Sequence, residues 1–350
     1  MRTSLGALAL LLAVGVAPVD RAQADQTRLA EIRARLENAN QWRDHVMVVA
    51  HRGGGVAQGR SLYPENSLAA VRAMIELGVE MVELDIQASK DGEFVVFHDS
   101  WLDRSSTCKG ELSLRTLAEL KGCRLLIEGT GAVSGEPIPT LREVLAVTRD
   151  RIFVNIDNKL DLGALAGITA LAREMGMADQ LVIKANLWNM ERVAAAKALM
   201  AKAGPGVLFM PIIADDAVRD PAFVETATSA VSAAAVELIA WHGADEPMTA
   251  DGGPLFSARA RAVAARGNWH LWVNTYAIVN KPAGMLSGGR GDQLATVAAL
   301  PGEAYGFWVD RGATIIQTDE PKIAVDWLAA NGFRRPYAEI QPTTTLAASN

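Results

Sequence analysis

Two rhythms of apolar and polar positions alternate along this chain. Short runs rich in β-branched residues, at 46–51, 81–87, 94–98, 152–158, 181–185, 207–213, 236–242, 270–275 and 313–318, have the length and composition of strands covered on both faces. Between them a helical period predicts helices over 66–77, 140–149, 163–175, 188–203, 256–266 and 321–331. Asn66, just ahead of the apolar positions Leu68, Val71 and Ile75, stands where a helix N-cap belongs. Strands alternating with helices predict a parallel sheet with helices outside it. If 94–98 is a local extension of the strand before it, eight strands remain, which is the count of a (β/α)8 TIM barrel. A doubly wound open sheet is the structural alternative.

Two segments break the alternation. Residues 100–139 hold few strand-like runs, several turns and both cysteines, and read as an insertion after the second strand. Residues 276–312 include the glycine-rich run Ser287-Gly288-Gly289-Arg290-Gly291-Asp292, which reads as a surface loop or as a segment that closes over a ligand. At the N-terminus, Arg2, the apolar stretch Leu5 to Val16 and Ala22-Gln23-Ala24 form a signal-peptide pattern over 1–24, too short in its apolar part to span a bilayer. A helical lead-in follows over 25–45, the barrel over 46–335, and a polar, flexible tail over 336–350. The expectation is an exported, secreted or periplasmic protein without stable membrane insertion.

Half of the residues are hydrophobic, enough for a large core. The chain has 34 basic and 40 acidic side chains; removal of 1–24 takes away Arg2, Asp20 and Arg21 and moves the net charge from −6 to −7. An acidic chain without a Lys/Arg cluster is unsuited to nucleic acid. Cys108 and Cys123 are the only cysteines; in an exported protein they suit a disulfide, with two free buried thiols as the alternative.

The chemistry lies at the strand ends. The first strand finishes in His51-Arg52 followed by three glycines, the second carries Glu83 and Asp85 on one face, and FVVFHD ends in His98-Asp99. IFVNIDNK places Asp157 and Lys159 on one face, and later strands finish in Lys184, in Trp272 and Asn274, and in Gln317-Thr318-Asp319. Each of these residues alone has a bland structural explanation. In a parallel barrel, however, all strand finishes share one end, where barrel enzymes build their sites. Glu83, Asp85 and Asp157 form an oxygen set suited to Ca²⁺ or Mg²⁺. His51 and His98 suit proton transfer near neutral pH, Arg52 and Lys159 suit an anionic group, and Trp272 with Asn274 is a candidate substrate wall. The set points to metal-assisted attack on a phosphoester.

His51-Arg52-Gly53, Pro64-Glu65-Asn66-Ser67, Glu83-Leu84-Asp85, His98-Asp99, Leu102-Asp103-Arg104-Ser105-Ser106, Ile138-Pro139-Thr140-Leu141 and Thr318-Asp319-Glu320-Pro321 occur in an order that resembles the successive signatures of the glycerophosphodiester phosphodiesterases. The resemblance runs over roughly residues 46–335. It implies a barrel with a small insertion, a divalent cation on Glu83, Asp85 and Asp157, acid–base work by His51 and His98, and phosphate contacts from Arg52 and Lys159. It also implies that Glu65 supports the site through hydrogen bonds, with Arg52 a candidate partner. The implied reaction is hydrolysis of glycerophosphodiesters to glycerol 3-phosphate and an alcohol. One position departs: the third-strand acid is usually Glu in that family and is Asp157 here. Sphingomyelinase D, on a similar barrel, also has Asp followed two residues later by Lys. A phospholipase D-like activity, on sphingomyelin or a lysophospholipid, is therefore the alternative. A non-catalytic barrel that binds glycerophosphodiesters is the rival from another class.

Overall fold

The computed structural model describes residues 21–337. Most of the signal-peptide stretch and nearly all of the expected tail lie outside the described residues. Eight parallel strands form a closed ring: β1 (Met47–Ala50), β2 (Met81–Ala88), β3 (Phe153–Asn158), β4 (Leu181–Asn186), β5 (Leu208–Ala214), β6 (Ala235–Ile239), β7 (His270–Asn274) and β8 (Ala313–Thr318). Each pairs with its successor, and β8 closes on β1 through Met47 opposite Ile315 and Ala50 opposite Thr318. The expected (β/α)8 barrel is therefore the fold, and the open-sheet alternative is excluded by that closure. The strand Phe94–Val96 runs antiparallel against the end of β2, with Val96 opposite Ile86, so it is the local extension and not a stave.

Helices follow the strands. α1 (Arg21–Glu37) precedes the ring; α2 (Leu68–Leu77), α3 (Leu141–Thr148), α4 (Ala164–Glu174), α5 (Met190–Ala203), α6 (Pro221–Val231), α7 (Ala258–Gly267) and α8 (Pro321–Ala330) surround it. α6 lies beyond the predicted set; its threonines and valines weaken the helical signal, and Asp220 capping the Ala222 N–H ahead of Pro221 starts it. One assignment at a helix start is corrected. Ser67, not Asn66, caps α2, its Oγ accepting from the Ala70 N–H at 3.1 Å. Asn66 sits at φ +57°, outside the helix, and faces the strand ends.

Alternation places every second strand residue inside the ring. Met47, Val49, Met81, Phe153, Val182, Met210, Trp272 and Ile315 build an apolar floor, which Ile32 and Leu36 of α1 cover from below. Two residues further along six of the strands the inward positions turn polar: Glu83, Asn155, Lys184, Glu237, Asn274 and Gln317, all buried. The barrel thus has an oily end and an ionic end. Among the described residues no helix is long and apolar enough to cross a membrane.

The insertion is a small unit with its own core of Val95, Phe97, Leu102, Leu112, Leu120, Cys123, Leu125 and Ile138. It contains a hairpin of Arg124–Ile127 with Ala132–Pro137, and Cys108 is bonded to Cys123. The second hairpin strand, AVSGEP, is polar and mostly surface-facing, which hid it in the hydropathy pattern. The glycine-rich loop is built into the wall. Ser287 is fully buried and bridges to Ala240 in parallel, and a Cβ on Gly288 would meet Thr249 Cγ2 at 2.4 Å.

Below the floor, Glu80 is fully buried and accepts from Val48 N–H at 2.8 Å and from Arg334 at 2.7 and 3.0 Å. Burial pushes its carboxyl up, but Arg334 and His45 outweigh this and hold it well below the ordinary value of 4.5. A depressed carboxylate contributes stability above the unfolded-state value and loses it as pH falls towards the folded-state value. Glu80→Gln is expected to cost about 3–5 kcal/mol in urea unfolding at pH 7, because Arg334 keeps its charge without its partner. The gap to wild type should close as pH falls below about 4.5; a gap that stays constant down to pH 3 would refute the assignment.

Candidate active site

The ionic end of the barrel gathers most of the residues singled out in the sequence. One carboxylate oxygen from each of Glu83, Asp85 and Asp157 lies within 4.8 Å of the other two. Asp85 stands opposite Asp157 in the β2–β3 register, and Glu83 lies one inward step below. The shorter side chain of Asp157 still reaches the cluster. Asn66 clasps Asp85 from the α2 side, donating through Nδ2 to Oδ2 at 2.8 Å and accepting the Asp85 N–H at 3.1 Å. Its left-handed backbone, a conformation Asn tolerates better than most residues, makes this two-point contact possible.

Positive charge encloses the acids. Lys159 Nζ bridges Asp85 at 3.0 Å and Asp157 at 2.9 Å. Lys184, buried at the level of Glu83, lies 3.8 Å from Glu83 and 3.4 Å from Glu237. Burial raises the Asp157 carboxyl, but Lys184 and Lys159 more than offset it and hold the group below the usual carboxylate range. Glu83 is driven the other way, raised by burial and by its neighbour Asp85. Arg52, at φ +51°, donates its backbone N–H to Glu83 at 3.0 Å, and its Nε lies 3.7 Å from Asp85, buried and without a hydrogen-bond partner.

Each histidine has a carboxylate at its back. His51 Nδ1 is 2.8 Å from Asp319 Oδ1, and its ring stacks on Tyr276 with centroids 3.6 Å apart. His98 Nδ1 is 2.6 Å from Asp99 Oδ1. A carboxylate only accepts, so Nδ1 carries the proton in both rings and Nε2 is left for proton exchange. Phe97 N–H donates to the Asp85 carbonyl at 2.9 Å, which sets His98 beside the tip of β2.

Trp272 and Asn274 do not form the expected substrate wall. Both have zero exposure. Trp272 belongs to the apolar floor, its indole N–H donating to Asn274 Oδ1 at 2.8 Å, and Asn274 donates to Glu237 at 2.7 Å. The inward face of β7 carries them into the barrel interior rather than to its mouth.

Residues 51–262 match the Glycerophosphoryl diester phosphodiesterase family. The chain belongs to this family. It is 39% identical over 123 residues to a glycerophosphodiester phosphodiesterase of Caldanaerobacter subterraneus, covering 35% of this chain and 49% of that one. It is 35% identical over 132 residues to one of Bacillus altitudinis, covering 36% and 51%. The chain thus spans about half the length of the curated relatives it matches. The fold is shared with a glycerophosphoryl diester phosphodiesterase of Parabacteroides distasonis, at TM-score 0.60 and 20% identity over 87% of this chain and 92% of that one. It is shared also with an Oleispira antarctica phosphodiesterase solved with sn-glycerol-3-phosphate, at TM-score 0.52 and 21% identity over 81% and 96%.

Within this glycerophosphoryl diester phosphodiesterase family chain, the insertion supplies a residue that the strand-end pattern did not single out. Arg104 donates to Asp99 at 2.6 Å, to Glu65 at 2.6 Å and to Glu128 at 3.0 Å. Glu65 in turn accepts from Arg52 at 2.7 Å. Burial raises Glu65, but Arg52 and Arg104 overcome it and hold the carboxyl down to about 2. Glu128, half-buried beside Glu65, is pushed up to about 7 by burial and by that charge. Asp319 and Arg104 were legible only as motif members, and Tyr276 not at all, because their partners Glu65 and His51 lie far away along the chain.

Burial alone would lower the His51 pKa, and Asp319 reverses the sign, so it lies above the ordinary 6.5. In metal-free protein, Asp319→Asn is expected to bring the His51 titration, followed by NMR, below 6.5. A midpoint unchanged from wild type would remove Asp319 as the partner.

Proposed function

We propose that this protein hydrolyses glycerophosphodiesters to glycerol 3-phosphate and an alcohol, with a divalent cation at the carboxylate cluster and two-histidine proton transfer. The observation that carries this reading is a pair of carboxylate-backed histidines at the end of the barrel that also holds three clustered carboxylates and an Arg52 Nε without a hydrogen-bond partner. The membership of the family and the names of its curated relatives support the substrate class. The signal-peptide pattern and the bonded cysteines support an exported enzyme.

The donor set fits a hard cation: all three groups offer oxygen, two are buried, and their spacing lets one ion reach all of them. Glu83, Asp85 and Asp157 would hold Ca²⁺ or Mg²⁺, which supplies Lewis-acid polarisation of a phosphoryl oxygen. Arg52 and Lys159 bind the phosphate and offset charge that grows on its oxygens. Glu65 and Arg104 keep Arg52 in place, so its guanidinium reaches the substrate already oriented. One histidine takes the proton of the attacking hydroxyl through Nε2, and the other returns a proton to the departing alkoxide. The hydroxyl belongs to water or to the glycerol carbon next to the ester; in the second case a cyclic phosphate precedes the product.

His51→Ala and His98→Ala are each expected to lower kcat on glycerophosphocholine by about 10²–10⁴-fold, with the thermal melt unchanged. Wild-type release of glycerol 3-phosphate by either variant would refute the acid–base assignment. EDTA should silence the wild type, and excess Ca²⁺ or Mg²⁺ should restore it. Undiminished turnover in EDTA would refute the cation.

A further inference from the structure

The cations that press on the carboxylate cluster differ in what they can reach. Lys159, 3.0 Å from Asp85 and 2.9 Å from Asp157, keeps 25% of its side chain exposed just past the end of β3. Arg52, 3.7 Å from Asp85, borders the groove that opens at His51. Lys184 is enclosed. Only 4% of its side chain is exposed, and its ammonium lies 3.8 Å from Glu83 and 3.4 Å from Glu237, both buried. It stands inside the ring at the level of Glu83, where a phosphate on Arg52 and Lys159 does not meet it.

The barrel floor holds this ammonium in place. Glu237 Oε2 faces Lys184, while Glu237 Oε1 accepts from Asn274 Nδ2 at 2.7 Å. Asn274 in turn accepts the Trp272 indole N–H at 2.8 Å through Oδ1. Each side chain of this chain is buried in a close-packed interior, so the ammonium has little room to swing away. Carboxylates beside it favour its charged form. A fixed positive charge against Glu83 lowers the negative charge that a divalent cation meets on Glu83, Asp85 and Asp157. Ligand charge count and site rigidity tune oxygen-ligand sites over several decades of affinity.

We propose that Lys184 sets the cation affinity of this site, as a permanent counter-charge tempered by Glu237 that makes the carboxylate cluster a weak, exchangeable site. The inference rests on the proposed cation and deepens it. The two halves of the pair act in opposite directions. Without the ammonium the cluster is more negative and holds a cation more tightly. Without the Glu237 charge the cation meets the full ammonium and is held less tightly. Lys184 makes the contact with Glu83 and Glu237 acts from behind it, so loss of both leaves a smaller tightening.

The test is calorimetric titration of Ca²⁺, and separately of Mg²⁺, into the full chain freed of metal, which reads affinity without turnover. Wild type is expected to bind one Ca²⁺ with Kd of about 10⁻⁴–10⁻³ M, the weak end of such sites. Lys184→Met should tighten binding by about tenfold or more, and Glu237→Gln should weaken it by about tenfold. Lys184→Met with Glu237→Gln should fall between wild type and Lys184→Met. Circular dichroism checks that each variant folds; the double variant leaves no lone charge at the pair and carries the test if a single variant unfolds. Affinity in Lys184→Met, or in the double variant, that is equal to or weaker than wild type would overturn the inference while the cation reading stands. A wild-type Kd below about 1 µM would do the same. Unchanged cation affinity in Lys184→Met with weakened binding of glycerol 3-phosphate would overturn it in favour of a phosphate contact. A wild type that binds neither ion would overturn both readings.

Discussion

Three carboxylates held within 4.8 Å of one another at the end of a barrel repel, and much of this molecule answers that repulsion. Lys159 bridges two of them, Lys184 rises from below against Glu83, and Arg52 closes the side towards Glu65. The cations are then balanced in turn: Glu237 faces Lys184, and Glu65 holds Arg52. Removing one member of such a network leaves a buried charge without its partner, which costs more than the pair is worth. The price of the arrangement is met by the apolar floor beneath it, where aliphatic and aromatic side chains pack without polar demands.

The turn at Thr318-Asp319-Glu320 organises the other half of the site. Asp319 sets the tautomer of His51 and ties down the loop after β7; Glu320 ties down the hairpin after β1. Behind them the buried Asp292 accepts from Thr318 Oγ1 and the Asp319 N–H, both at 2.8 Å. Burial and the nearby Asp319 push its carboxyl up to about 7. The glycine-rich run that ends in Asp292 therefore serves as a rigid backing for β8. The loop is packed closely on itself, a Cβ at Gly284 meeting the Gly289 carbonyl carbon at 2.4 Å.

The insertion joins the site at Glu65, through Arg104, Ser105 and Glu128. Arg104 reaches back to Asp99 behind His98 and to Glu65 behind Arg52, so proton transfer and phosphate binding share a support. The small core packs that loop against Val95 and Phe97 beside β2, and the Cys108–Cys123 bond closes the loop on itself. Apolar runs made the strands legible, and the two-residue period along them placed Glu83 with Asp85 and Asp157 with Lys159 on one face, because parity along a strand is a local property. The same alternation misled at Trp272: it gave the side of β7 on which the indole lies but not its depth in the barrel.

What the sequence determined by itself was the order of strands and helices, a parallel sheet with helices outside it, and the end at which acids, histidines and basic groups collect. These follow from hydrophobic period and from the shared direction of parallel strands, neither of which needs a distant partner. Only the tertiary structure decided that Asn66 clasps Asp85 instead of capping α2, that Arg104 supports both Glu65 and Asp99, and that Asp319 backs His51 across 268 positions. It also decided that the loops after β1 and β7 form one groove. Such pairings depend on which side chains meet once the ring has closed, and closure joins the two ends of the sequence at β1 and β8.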